Sequence, residues 1–281
     1  MTKQYLDVSY IIAYRESKDP YRKRNLLYNI RFINKHFDGV EIIIAEDDKT
    51  PTMSKRELPK NVKYVFCHHD GPFNKAWAFN CAVKTATTKK IIVFADGDII
   101  APPGAYIATA QVFDSEAETA SIDLYGGFIN AKHILSDRII SGEEDPFEKP
   151  VDNLNVYAES FGDGSFIDSH SPLFGGLNMI RKSLFYGARG CFEEIFDGWG
   201  AEDISFGYLL SKISKVGRLN ACAVHLCHWP ARGSENRGNP TNEPNWQLFL
   251  QLKDKLDSKE NAIKLINERS LDWGNPERYP L

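Results

Sequence analysis

The sequence predicts an α/β domain on a mixed, mostly parallel central sheet flanked by helices, and three observations carry that expectation. Four short β-branched apolar runs, VSYIIAY (8–14), VEIIIAE (40–46), VKYVFCH (62–68) and IIVFAD (91–96), read as strands buried on both faces. Segments of helical period separate the first from the second and the third from the fourth. The resulting order, β-α-β-β-α-β, folds through right-handed crossovers into a parallel sheet covered by helices.

Each element has its own justification. In RKRNLLYNIRFINKHF (22–37), Leu26, Leu27, Ile30, Ile33 and Phe37 recur near helical spacing. NKAWAFNCAVKTATTKK (74–90) repeats the pattern with Ala76, Phe79, Ala82, Val83 and Ala86. Open sheets of this class bind ligands at the carboxyl ends of their strands, where Arg15, Glu46, Asp47, Asp70 and Asp96 fall. From 121 to 172 the pattern loosens, and YGGF, SGEEDP and FGDGSF read as turns in an inserted connection that shapes a pocket. Order returns with SPLFGGLNMIRKSLF (171–185), FDGWGAED (196–203) and a helix ISFGYLLSKISKVG (204–217) whose Phe206, Leu209, Leu210 and Ile213 share a face. ACAVHLCHW (221–229) is strand-like, the Gly/Asn/Pro-rich 231–245 reads as a segment that closes over a ligand, and a charged amphipathic helix runs from Trp246 to Arg269.

Composition bounds the function. Lys plus Arg number 34 against 38 Asp plus Glu, a net of −4, so no basic field points to nucleic acid. No run approaches the roughly 18–20 apolar residues of a membrane span, and the start lacks a basic segment followed by a long apolar one. The expectation is a soluble, unsecreted, cytoplasmic chain, with peripheral association to a membrane surface still compatible. Five cysteines, an odd number without framework spacing, suit a reducing compartment.

Three stretches could carry chemistry. FADGDII (94–100) sets Asp96 and Asp98 at the end of a buried strand, where carboxylates are costly unless paired or bound to a cation; an Asp-Gly turn between strands is the plain alternative. HLCH (225–228) offers His225 and His228, which with one carboxylate make a mixed N/O set suited to Mn²⁺; one packed and one exposed histidine, or a zinc site shared with Cys222 and Cys227, would read the same. In GWGAED (198–203), Glu202 and Asp203 open a helix and complement its dipole, or else place a general base beside the flat wall of Trp199.

Taken together, FNKAWAFNCAV, FADGDII, LFGGLNMIRKSLF, GWGAED and VHLCH resemble, in order and rough spacing, the metal-dependent GT-A glycosyltransferases of the β-1,4-galactosyltransferase type. The chain is similar also to bacterial family 2 enzymes with the same C-terminal region, such as chondroitin polymerases. The resemblance implies a GT-A (nucleotide-diphospho-sugar transferase) fold, with Arg15, Glu46 or Asp47, Phe73, Asp96 and Gly97 on the nucleotide or donor. It implies Asp98, His228 and His225 on Mn²⁺ or Mg²⁺, Trp199 and Glu202 in the donor and acceptor pocket, and Asp203 as catalytic base. The expected reaction is inverting transfer from a UDP-sugar of galactose, N-acetylgalactosamine or N-acetylglucosamine type to a glycan hydroxyl. Rivals are a nucleotidyltransferase, which should carry a glycine-rich loop that AYRESKDP lacks, and a non-catalytic binding module. The chain is expected to form one catalytic domain, 1–281: a nucleotide-sugar half (1–120), an acceptor and metal half (121–245) and a helical tail (246–281).

Overall fold

A computed structural model describes residues 2–54, 56–87, 90–115, 119–148, 158–161, 173, 175–229 and 240–279. The chain opens with β1 (Gln4–Tyr5), β2 (Val8–Tyr14), α1 (Pro20–His36), β3 (Phe37–Asp38) and β4 (Glu41–Asp48). β5 (Val62–His68), α2 (Lys75–Thr85), β6 (Ile91–Ala95), β7 (Ile99–Ile100) and α3 (Pro103–Ser115) follow. Next come β8 (Thr119–Asp123), β9 (Gly127–Ala131), α4 (His133–Ser141), β10 (Ala158–Phe161), β11 (Leu177–Arg181) and α5 (Lys182–Gly187). α6 (Glu202–Ile213), β12 (Lys215–Arg218), β13 (Cys222–His225), α7 (Asn242–Lys255) and α8 (Lys259–Glu268) complete it.

The main sheet has the order β12-β8-β11-β6-β2-β4-β5, with β6, β2, β4 and β5 parallel and β11 antiparallel to both its neighbours. Alternation along the strands divides the core. Tyr10, Ile12, Ile42, Ile44 and Val93 pack with Leu26, Ile30 and Ile33 of α1 on one face. Ile11, Ile43, Ile92 and Phe94 pack with Trp77, Phe79 and Val83 of α2 and Phe206 and Leu209 of α6 on the other. A one-residue slip would exchange the two sets, so apolar burial worth about 1.5–3 kcal/mol per side chain holds the register that aims the strand ends. A second sheet, β10-β9-β13-β7, leaves the first where β6 ends.

Several expectations need correction. The stretch from 121 holds β8, β9 and α4 where turns were expected. Its polar residues are interior partners: Asn178 Nδ2 donates to the buried Asp123 carboxylate at 3.1 Å. The helix expected over 204–217 stops at Ile213, because Lys215–Arg218 pairs with β8. The closing helix is two, since Ser258 caps α8 by accepting from Asn261 N at 3.2 Å. Strand β13 ends at His225, before the rest of ACAVHLCHW. Residues 231–239 of the expected closing segment, and most of FGDGSF, lie outside the described residues. No helix among the described residues is long and apolar enough to cross a membrane.

Candidate active site

Two sheets meet at the Asp96–Gly97–Asp98 turn. Asp96 N still bonds to Gly176 O at 2.6 Å on the main-sheet side, whereas β7 pairs antiparallel with β13, Ile99 opposite His225. Leu226 N extends that pairing to Asp98 O at 2.8 Å. The ladder therefore sets the Asp98 side chain against the histidines. Asp98 Oδ1 lies 3.6 Å from His225 Nε2 and Oδ2 lies 3.2 Å from His228 Nε2.

Hydrogen bonding fixes the tautomers. His225 Nδ1 faces Asn130 Oδ1 at 2.7 Å, and His228 Nδ1 faces Trp229 O at 2.6 Å. Both partners only accept, so each ring donates its Nδ1–H and turns its Nε2 toward Asp98. Those two Nε2 atoms are 3.1 Å apart. Two imidazole nitrogens at that separation share a proton or a cation. Burial alone would raise the Asp98 carboxyl, but His225 and His228 outweigh it and hold it below the usual range. Burial lowers His225, which favours the neutral ring. The three donor atoms lie within 4.8 Å of one another, a carboxylate oxygen and two imidazole nitrogens fit for a borderline divalent ion. Among the described residues no cysteine joins such a group, and all five cysteines are free, so the zinc alternative has no support.

The second half of the site grows from the start of α6. Glu202 and Asp203 occupy its first turn, after Ala201 in the left-handed region at φ 67°. Gly175, at φ +76°, lets the backbone lie against Asp203: a Cβ there would come 2.4 Å from Asp203 Cγ. Tyr125 OH donates to Gly175 O at 2.6 Å and steadies that contact. Lys75 Nζ then reaches three carboxylates, Asp203 Oδ2 at 2.9 Å, Glu202 Oε1 at 3.1 Å and Asp96 Oδ1 at 3.4 Å. Burial, with Glu202 and Asp96 adding, pushes the Asp203 carboxyl up to about 7 against the pull of Lys75. Lys75 itself is held well above the usual ammonium range, because the three carboxylates overcome the burial that opposes its charge.

In the sequence, FNKA points to Phe73 and leaves Lys75 without a role. A signal for Lys75 was present. It is the first residue of α2, at the positive end of the helix dipole, where a cation is disfavoured. Residues that break a local rule without a local gain tend to be functional. Asn74 ties this turn to the GWGAED loop, capping Trp77 N at 2.8 Å and donating to Asp197 Oδ1 at 2.9 Å.

The other candidates divide. Arg15 donates to Asp47 O at 2.7 Å, Gly71 O at 2.6 Å and His69 O at 2.8 Å, pinning the loops after β4 and β5. Asp47 is buried and accepts from Asn74 N at 2.5 Å, so it joins the edge that carries Phe73 and Lys75. Glu46, also buried, turns inward to Thr52 N and Met53 N at 3.0 and 3.2 Å and to the Tyr64 hydroxyl. Gly97 packs on α1, with Leu26 Cβ 3.5 Å from where its own Cβ would be. Trp199 is 38% exposed, its backbone clasped by Thr241 and Asn245.

The fold has known counterparts. A structure of GalNAc-T7 holding UDP, GalNAc and Mn²⁺ superposes with TM-score 0.57 at 11% identity, over 97% of this chain and 56% of that one. Glucosyl-3-phosphoglycerate synthase from Mycobacterium tuberculosis, with Mn²⁺, UDP and phosphoglyceric acid, superposes with TM-score 0.50 at 14% identity, over 90% of this chain and 79% of that one. The present chain thus spans little more than half the length of the first. No curated protein matches the sequence. The fold is the GT-A type, a mixed central sheet flanked by helices. Because the family model described as "Glycosyl transferase family 2" matches residues 10–184, well over half of the sequence, the chain belongs to that family.

Proposed function

We propose that the protein is an inverting, metal-dependent glycosyltransferase that moves a sugar from a UDP-sugar to a hydroxyl of a glycan acceptor. The donor sugar is of galactose, N-acetylgalactosamine or N-acetylglucosamine type, as in the β-1,4-galactosyltransferase and chondroitin polymerase group. One observation carries the reading: the turn that presents Asp98 to His225 and His228 also presents Asp96 to the Lys75 cluster that contains Asp203. A divalent binding set and a partly buried carboxylate therefore flank one turn. UDP with Mn²⁺ in the two superposed structures supports the choice of donor.

Asp98, His225 and His228 would hold Mn²⁺ or Mg²⁺. The ion, when bound, supplies Lewis-acid stabilisation of the charge developing on the leaving diphosphate. The Asp203 carboxylate accepts the acceptor's hydroxyl proton, and the oxygen so freed attacks the anomeric carbon from the face opposite the departing UDP, hence inversion. Lys75 keeps Asp203 and Asp96 in place. Trp199 offers an exposed ring for the apolar face of a sugar, with Glu202 beside it at the start of α6. Arg15, Asp47 and Phe73 line the strand edge where the nucleotide would lie, next to Asp96 and Gly97. Glu46 acts there through the loop it braces. In this proposal residues 1–120, 121–245 and 246–281 are the nucleotide-sugar part, the acceptor and metal part, and the helical tail of one domain. Free cysteines go with a cytoplasmic setting.

The test is UDP release from a panel of UDP-sugars with and without Mn²⁺. Wild type should turn over with metal only, Asp98→Ala should lose turnover, and Asp203→Asn should lose about 10²–10⁴ in rate while still binding UDP and Mn²⁺. Undiminished transfer by Asp203→Asn, or no turnover of any nucleotide sugar by wild type, would overturn the reading.

A further inference from the structure

We infer that α1 is the template of the metal site, and that Asn25 and Asn29 are positioning residues holding the aspartate turn and the histidine turn in mutual register. The inference rests on Asp98, His225 and His228 being the ligands of a divalent cation. Asn25 and Asn29 stand four residues apart, one above the other on the helix and about 6 Å along its axis. Both are fully buried, on a helix face whose neighbours are Leu26, Ile30 and Ile33. Asparagine is a poor helix former, and a buried carboxamide is costly unless satisfied. Its partners therefore show what its presence secures.

Those partners are the two ligand-bearing turns. Asn29 Nδ2 donates to Asp96 O at 3.1 Å and Ile99 O at 3.0 Å, so one amide group straddles Asp98. Asn25 Nδ2 donates to Cys227 O at 3.1 Å and Leu226 O at 3.4 Å, the two carbonyls between His225 and His228. Each amide is itself oriented: Tyr10 OH donates to Asn29 Oδ1 at 2.9 Å, and Arg24 Nε donates to Asn25 Oδ1 at 3.2 Å. The N-cap of the same helix completes the grip, since Asp19 Oδ2 accepts from Trp229 N, just past His228, at 2.7 Å. Direct contact of Leu26 with Gly97 seats the aspartate turn on the helix between the two asparagines. A single rigid element thus spans two turns that lie 127 positions apart in the chain.

The experiment titrates full-length protein with Mn²⁺ alone, by calorimetry and by loss of the free Mn²⁺ paramagnetic-resonance signal. Substituting a partner that orients a metal ligand typically weakens affinity about 10–100-fold, so that loss is expected for Asn25→Ala and for Asn29→Ala. Asn80→Ala is the control: Asn80 is an equally buried asparagine on α2, donating to Phe192 O at 3.0 Å and remote from both turns. It should lower Tm and leave Mn²⁺ affinity within twofold. Should an alanine variant lose its near-UV circular dichroism, Asn25→Ser or Asn29→Ser, which keeps one donor, takes its place with the same expectation. Affinities of the Asn25 and Asn29 variants within twofold of wild type, or an equal loss in Asn80→Ala, overturn the inference and leave the ligand assignment standing. Wild type that binds no Mn²⁺, or Asp98→Ala that binds it as tightly, overturns both.

Discussion

Replacing Lys75 by methionine removes the cation that faces Asp203, Glu202 and Asp96 and keeps most of the side chain's length. Lys75 Nζ sits 2.9 Å from Asp203 Oδ2. Two unit charges so placed attract by roughly 6 kcal/mol at an effective dielectric of about 20, an upper bound, and an opposite charge at this range lowers a carboxyl by about 1–3 pH units. With Lys75 present, burial still leaves Asp203 at about 7. Without it, burial, Glu202 and Asp96 act unopposed, Tyr125 being the other titratable group that interacts with Asp203. The midpoint then moves to roughly 8–10. A base must be ionised to accept a proton, so kcat/KM rises with pH through this midpoint and falls tenfold per unit below it. At pH 7 the wild-type carboxylate is about half ionised and the variant's about a tenth to a thousandth, which predicts a loss of about 5- to 500-fold that is recovered toward pH 9.5. UDP release measured from pH 5.5 to 9.5 at saturating metal reads this directly, and Lys75→Arg, which keeps the charge, should leave the limb near its wild-type position. An acid limb that stays at the wild-type pH in Lys75→Met, with only a lower plateau, would refute the electrostatic reasoning.

Further outcomes follow from the same geometry. Ala201→Gly should relieve a left-handed residue costing about 1–2 kcal/mol against a glycine entropy cost of about 0.5–1, a net gain near 0.5–1 kcal/mol and roughly 1–2 °C in Tm by calorimetry. Gly175→Ala should place a methyl against Asp203 and lower kcat about 10²-fold with the circular dichroism of the native fold retained, since displacement of a catalytic group by about 1 Å costs that much. Asn130→Ala frees the His225 tautomer and should weaken Mn²⁺ binding about 10–100-fold in the calorimeter. Trp199→Ala should raise the KM for the glycan acceptor, the UDP-sugar or both, with the UDP affinity within about twofold, because its exposed ring lines the pocket the two sugars share in this proposal.

The parallel half of the sheet was legible because β2, β4 and β6 are buried on both faces, which forces unbroken β-branched runs. Periodicity failed where polar side chains are interior. Asp123 accepts from Asn178 inside the sheet, yet in the sequence it falls in the stretch from 121 that reads as turns. In the site, Asp98 and the two histidines could be nominated by residue type, but their meeting depends on β7, a strand of two residues too short for any periodic signal. Lys75 escaped because a lysine on an amphipathic helix reads as solvated surface, and only the tertiary fold sets three carboxylates around it. Arg15 and Glu46 were placed correctly at strand ends, but strand position does not fix direction. One braces loop carbonyls and the other caps an inward turn.

Gly97 sits where the chain passes from one sheet to the other. Asp96, Lys75 and Asp203 ride on the seven-stranded body, whereas Asp98 and His225 ride on the four-stranded one, with His228 just beyond it. In the proposed function the two chemical tasks thus ride on separate carriages, joined by the chain at Gly97 and clamped together by α1. Substitutions deep in the smaller sheet, under β9 or β13, would retune the proposed grip on the ion more than the protonation of Asp203, which they reach only through Asp96. Substitutions under α2 or α6 would do the reverse.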